Sequence, residues 1–389
     1  MLELCAYWPA YLASVPKILV KHPGANVRIL AIDVGTGTQD ILLFDSSAAL
    51  ENNPKLVMPS PTSIIAQRVR DATRHREAIL LTGATMGGGP CAWAVEDHLK
   101  AGYVVYATPE AALTFDDHLV NVERMGIQMV SEDEAHALKD VLCIEMKDLD
   151  MEAVGNALTA FGIEPRYDGV AVAVFDHGAA PLDVSDRAFR FDHLSRMVQE
   201  DDRLESFAYL AHEVPAYLTR MRAVIHSYSS TLEAPLLLSD TAPAGALGAV
   251  GDPVVREHSH RLLVNLGNMH ATAFHLKEDR IMGIFEHHTG LVDQEKLNHL
   301  LQELVAGTLT NDEVFNGHGH GAHIFRSATG HPFLAVTGPQ RGLMRGSPLD
   351  PHFAVPYGDM MLSGCFGLLR AFAAKSPQWR EEILHALEG

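Results

Sequence analysis

Residues 29–44, ILAIDVGTGTQDILLF, decide the fold. Ile29 to Ile32 and Ile41 to Phe44 are strand formers, and Gly35-Thr36-Gly37-Thr38 lies between them. The stretch predicts a glycine-turned β-hairpin. Its chemistry suits a polyphosphate. Glycine lets backbone N–H donors approach closely, Thr36 and Thr38 add hydroxyls, and Asp33 offers a carboxylate for Mg²⁺. From these residues alone, an ordinary Gly-Thr hairpin would look the same.

The pattern recurs at 261–276, RLLVNLGNMHATAFHL, as strand, glycine turn and strand. We read this as a weak internal duplication rather than a short-period repeat. A boundary near residue 255 is expected, giving an extension at 1–26 and lobes at 27–255 and 256–389. Between the hairpins, EAILLTGATMGGGP (77–90), YVVYAT (103–108) and VLCIEM (141–146) read as strands. DGVAVAVFDHG (168–178) reads as a strand buried on both faces. Helical spacing is expected at 91–101, 151–162, 292–306 and 359–374, and over a long stretch from His193 to Ser227 interrupted near Pro215.

Composition narrows the classes. The chain has 389 residues, 47% of them hydrophobic, with a net charge of −19. That length suits two domains. The charge disfavours non-specific nucleic acid binding, which needs a basic face. No apolar run is long enough to span a bilayer. The first 24 residues lack a basic leader, so a cytoplasmic chain with an N-terminal extension, or an upstream start codon, is expected. A small-molecule or protein partner fits better than nucleic acid or membrane. Cys5, Cys91, Cys143 and Cys365 are dispersed and form no metal or redox motif.

The order of the segments extends the argument. Asp33 to Asp40, SDTAPAGALGAVGD (239–252), VNLGNMHATAF (264–274), FLAVTGPQR (333–341) and GDMMLSGCFGLLRAFA (358–373) resemble five elements of the actin, sugar-kinase and chaperone-ATPase superfamily. These are its first phosphate hairpin, first connecting helix, second phosphate hairpin, adenosine turn and second connecting helix. The resemblance spans nearly the whole chain. It implies an α/β fold of two ribonuclease-H-like (actin-like ATPase) domains with a cleft between them, and ATP with Mg²⁺ as cofactors. Asp33, Gly35, Thr36, Gly37 and Thr38 would hold phosphate and metal, Gly267 and Asn268 would face them, and Gly338 would lie by the adenosine. The chain departs from the pattern at Asn265, where the superfamily places Asp. Asparagine binds Mg²⁺ more weakly and cannot act as a base. At finer grain the chain resembles an uncharacterised prokaryotic family carrying TMGGGP, DHG, FEHHTG, GHG and TGP segments. Some members are labelled as resembling a pyruvate formate-lyase activating enzyme. Four dispersed cysteines cannot supply the cluster-binding loop that such chemistry needs.

Polar residues outside the hairpins complete the candidates. Asp176-His177-Gly178 follows a buried strand at the edge where open α/β sheets bind ligands, and an Asp–His pair there could orient a base. Asp240, or else Asp176, could stand near a transferred phosphate, although Asp240 also fits a helix N-cap. The chain has 22 histidines. Glu286, His287 and His288, with His318, His320 and His323, have the chemistry to ligate Zn²⁺ or Fe²⁺, and equally to line a cleft without metal. On the preferred reading His177, His288 and His320 line the substrate side. Gly87-Gly88-Gly89 could present N–H groups to an anion or simply turn. Arg203, Arg220 and Arg222, and the run from Arg68 to Arg76, read as solvated faces. Three functions remain open from the sequence: a phosphotransferase or slow ATPase acting on a small molecule, a metal-dependent hydrolase or transferase, and a non-catalytic nucleotide-gated switch.

Overall fold

The computed structural model describes residues 26–229 and 234–388. The expected N-terminal extension, with Cys5, lies outside the described residues apart from its last position. The first sheet contains β1 (Arg28–Val34), β2 (Thr38–Asp45), β3 (Lys55–Pro59), β4 (Gly169–Val174), β5 (Ala208–Leu210) and β6 (Leu236–Asp240). The second contains β7 (His260–Leu266), β8 (His270–Lys277), β9 (Arg280–His288), β10 (Gly321–Ile324), β11 (Phe333–Thr337) and β12 (His352–Phe353).

The order in the first sheet is β3-β2-β1-β4-β6-β5, and in the second β10-β9-β8-β7-β11-β12. In both, an antiparallel three-strand meander is extended by two parallel strands, from β1 to β4 and β6, and from β7 to β11 and β12. This is the ribonuclease-H-like order, present twice. The two lobes form the actin-like ATPase architecture. All six residues of β4 are buried, as its unbroken apolar run predicts for a strand flanked on both sides and covered on both faces.

Four helices position the site: α1 (Asp186–Glu200), α2 (Thr219–Ser229), α3 (Thr241–Ala249) and α4 (Ser363–Lys375). The expected long helix from His193 to Ser227 is not formed. The chain leaves α1 at Asp201, and Ala208–Leu210 pairs antiparallel with Leu237–Ser239 as an edge strand before α2 begins. The apolar run at 207–210 is buried along that edge, apart from the half-buried Leu210.

Helices α3 and α4 cross at close range. A Cβ at Gly248 would overlap the carbonyl oxygen of Ser363, and one at Gly367 would overlap that of Ala244. Glycine at both positions lets the backbones touch. The core beneath includes Ala244, Leu247, Phe366, Leu369 and Phe372 and joins both sheets.

A third sheet sits between β3 and β4. Its strands, in the order Gln128–Met129, Val105–Ala107, Ala78–Gly83 and Val141–Met146, are all parallel. The sequence predicts three of these strands but not that they form a separate unit. Arg68, Arg70, Arg74 and Arg76 are exposed on or just after the helix Pro61–His75, as expected. No helix among the described residues is long and apolar enough to cross a membrane.

Candidate functional site

The two glycine hairpins face each other across a cleft of about 570 Å³. In each, the first glycine N–H closes the turn: Gly35 donates to the Thr38 carbonyl at 2.9 Å, and Gly267 to the His270 carbonyl at 2.9 Å. The tips meet, since a Cβ at Gly37 would lie 2.7 Å from the Asn268 Nδ2. Thr36 and Thr38, Asn265 and Gly267, and Thr337 and Gly338 all line the cleft. Gly338 has φ +96°, and a side chain there would strike the Leu266 backbone and the Asn265 amide.

Asp33 stands at the cleft floor. It pairs across the hairpin with Asp40 and accepts a hydrogen bond from Thr241 Oγ1 at 2.6 Å. Burial pushes the Asp33 carboxyl up to about 6, against the Thr241 hydrogen bond. Burial, then the neighbouring Asp33, pushes Asp40 up to about 7. Asp40 Oδ1 is buried without a hydrogen-bond partner among the described residues. Two facing carboxylates that resist ionising together are the donor set a divalent cation would relieve. In the second lobe the same strand positions hold Asn265 and Thr272.

Two expected catalytic carboxylates are committed elsewhere. Asp240 caps α3 through the Ala242 N–H at 3.0 Å and binds Arg190 at 2.7 Å, so it is the helix cap its position allowed. Asp176 accepts the Gly178 and Met221 N–H groups, each at 2.8 Å, and its carboxylate therefore does not orient His177.

The histidines divide. His177, His270 and His320 converge, with a ligand atom from each lying within 4.8 Å of the others. His288 packs beside them, its ring 4.7 Å from that of His320. Phe175 stacks on His270 with centroids 3.9 Å apart. His287 turns away, as strand alternation requires of one neighbour, with its ring nitrogens against the His288 and Gly317 carbonyls. His318 sits exposed on the turn before β10 with φ +66°. His323 stacks on Phe325 and lines an outer groove. Glu286 is fully buried and is gripped by Arg190 through two bonds of 2.7 Å. Neither His287 nor His318 is therefore placed to share a metal with His320.

Four residues escaped the sequence reading. His270 begins β8 and was read only as part of a turn. Arg190 is fully buried and links Asp240 of the first sheet to Glu286 of the second. Arg220 is not on a solvated face: it grips Asp148 through bonds of 2.6 and 2.9 Å and donates to the Phe175 carbonyl. Asp148 also receives the Gly87 N–H at 3.2 Å, so that donor of the triple-glycine loop is already paired. No local spacing marks these arginines, because their partners are distant in sequence.

The family model described as "Putative pyruvate format-lyase activating enzyme (DUF1786)" matches residues 86–343. The chain belongs to this family. No cysteine among the described residues lies in a cluster of three or more potential metal ligands. No curated protein matches the chain. Among solved structures, the activator of 2-hydroxyisocaproyl-CoA dehydratase from Clostridium difficile, with bound ADPNP, aligns at 9% identity, covering 91% of this chain and 98% of that one, with a TM-score of 0.33. The ethanolamine utilization protein EutJ from Carboxydothermus hydrogenoformans aligns at 11% identity, covering 89% and 90%, with a TM-score of 0.31. A ROK hexokinase from Thermus thermophilus aligns at 12% identity, covering 66% and 48%, with a TM-score of 0.23.

Proposed function

We propose that this family member binds Mg·ATP in the cleft and acts as a phosphotransferase or slow ATPase on a small molecule. The observation that carries the reading is the pair of glycine turns meeting at Gly37 and Asn268 above Asp33. The remaining N–H groups of the two turns and the Thr36 and Thr38 hydroxyls of the first suit phosphate oxygens, and Asp33 with Asp40 would hold Mg²⁺. Gly338, packed on Leu266 and Asn265, would lie by the adenosine. The lobes, divided near residue 255, would close on the nucleotide. The substrate would enter from the third sheet's side, where Thr85, Gly88 and Asp117 line the cleft. Catalysis would rest on positioning and charge stabilisation.

Calorimetric titration with Mg·ATP tests the reading, comparing the parent with Asp33→Ala and Gly35→Val. Binding by the parent that both substitutions abolish supports it. No binding by the parent at millimolar nucleotide sinks it.

Asn265 favours a second reading, a switch that binds ATP without turning it over. It occupies the strand position that Asp33 holds in the first lobe, and its amide lies against Gly245 and Gly338. Phosphate release by Asn265→Asp but not by the parent would select the switch. Turnover by the parent would reject it.

A further inference from the structure

Three imidazoles meet where the two lobes touch, and they come from three separate segments. His177 follows β4 in the first lobe, His270 opens β8 in the second, and His320 precedes β10. A ligand atom from each lies within 4.8 Å of the other two. His177 and His270 line the cleft, while His320 is buried behind them.

The polar atoms of this group have no partners to explain them. Among the described residues, His270 Nε2 and both ring nitrogens of His320 are buried without a hydrogen bond. Buried polar groups are almost always hydrogen-bonded, so three unpaired in one place call for an occupant. We infer that His177, His270 and His320 form a metal site that takes a divalent transition metal of zinc's ligand preference, with one coordination position open to the cleft.

The surroundings fit that assignment. Burial, with Arg190 and neighbouring histidines adding to it and Glu286 opposing, holds His177 at about 3. Burial likewise holds His320 at about 4, and His270 well below the ordinary imidazole range. Burial thus favours the neutral imidazole at all three, the form that ligates metal. The nearby positive charge of Arg190 is matched, since Glu286 and Asp240 both pair with it. Arg220 is likewise matched by Asp148. The Glu286 Oε1 lies 3.6 Å from His320 Nδ1, outside hydrogen-bond reach, and places a carboxylate behind that ring.

The site needs a modest contraction. Tetrahedral zinc with Zn–N of about 2.0–2.1 Å sets its ligand nitrogens about 3.4 Å apart, so separations of up to 4.8 Å must close by up to about 1.4 Å. Three histidines and an open position make a reactive rather than a purely structural zinc site. The open position faces the same cleft as the hairpins, so it would take an oxygen ligand, such as a carboxylate, a phosphate or water, from the molecule bound there. The metal site does not depend on nucleotide binding.

The test uses the full chain with any affinity tag removed, stripped by a chelator and titrated with ZnCl₂ against a competing chromophoric chelator. One equivalent of zinc should bind. His177→Ala and His270→Ala, both at the cleft wall, should each weaken binding by at least about 100-fold, because even loss of an outer-shell partner costs 10- to 100-fold. The exposed His299→Ala should bind as the parent does. Cobalt in place of zinc should give the visible bands of a tetrahedral nitrogen site, lost in His270→Ala. Thermal melts of the stripped proteins would show that the variants fold. Absence of a bound equivalent in the parent, or binding unchanged in both cleft-wall variants, would overturn the assignment.

Discussion

Arg190 offers the most searching test of how the lobes are joined. Its guanidinium makes two bonds to Glu286 and one to Asp240, all of 2.7 Å, donates to the Asp176 carbonyl, and lies 3.5 Å from the Phe175 ring centre. Replacing it by methionine keeps much of the volume but leaves two buried carboxylates with no counter-charge. Breaking a buried pair from one side costs about 3–5 kcal/mol, and Arg190→Met should fall in that range by denaturant unfolding at pH 7.5. The loss should also depend on pH. In the parent, burial alone would raise the Glu286 carboxyl, but Arg190, with His320 adding, holds it well below the carboxylate range. A depressed carboxyl contributes stability above its unfolded value of about 4.5, so in the parent that contribution is flat from pH 5 to 8. In the variant the same carboxyl rises above its unfolded value, and its cost then appears as pH rises through the new folded value. The deficit of Arg190→Met should therefore shrink between pH 8 and pH 5.5. Adding Glu286→Gln should recover part of it at pH 8, by removing the uncompensated charge. A loss below about 1 kcal/mol, unchanged across that pH range and unaffected by Glu286→Gln, would refute the view that Arg190 is the charged rivet between the sheets.

Two further predictions concern the cleft floor. Asp33 and Asp40 rise to about 6 and about 7, so the stability they contribute is present below their unfolded values and lost as pH rises through 6 to 7. If Mg²⁺ binds there as proposed it would relieve the ionised pair, so the increase in melting temperature on adding MgCl₂ should be larger at pH 8 than at pH 5.5 and absent in Asp33→Asn with Asp40→Asn. An increase equal at both pH values would refute this. A Cβ at Gly364 would overlap the Asp33 carboxylate, and one at Gly367 the Ala244 carbonyl and the Gly248 nitrogen. Both Gly364→Ala and Gly367→Ala should lose about 1–3 kcal/mol to overpacking, but only Gly364→Ala should also weaken nucleotide binding in calorimetry below the melting temperature. Equal affinities in the two variants would show that Asp33 is not held by that contact.

The fold was legible because its signals are local. A glycine turn between two apolar runs fixes a hairpin, and small residues at Gly248 and Gly367 mark a close crossing, whichever partner they meet. The site was only partly legible, because its chemistry is built from distance. Arg190 and Arg220 sit in helical segments whose charge pattern looks solvated, yet their partners lie at 240, 286 and 148. The histidine segments at 285–288 and 317–323 contribute unequally for a simple reason. Neighbouring residues on a strand face opposite sides, so His287 and His288 cannot serve one site. His270 carried no signal of its own, since its partners His177 and His320 belong to other segments.

The two hairpins show how a repeated frame can take on two chemistries. Strand positions match: Asp33 with Asn265, Gly35 with Gly267, Thr38 with His270, and Asp40 with Thr272. The backbone that makes the turn is the same in both, down to the 2.9 Å bond from the first glycine to the fourth residue. What differs is the side chains hung on it. The first hairpin keeps two acids, the right donors for a hard cation such as Mg²⁺. The second carries neutral groups where the first has its acids and an imidazole where it has its second threonine, which suits softer metals. Restoring an acid at 265 alone would thus return only half of the first hairpin's pair, because Thr272 still stands opposite. If the second hairpin has left cation binding for metal ligation, Asn265→Asp should leave zinc binding at His270 intact while changing only what happens to nucleotide. Zinc binding lost on that substitution would mean that the two halves of the cleft are one site and not two.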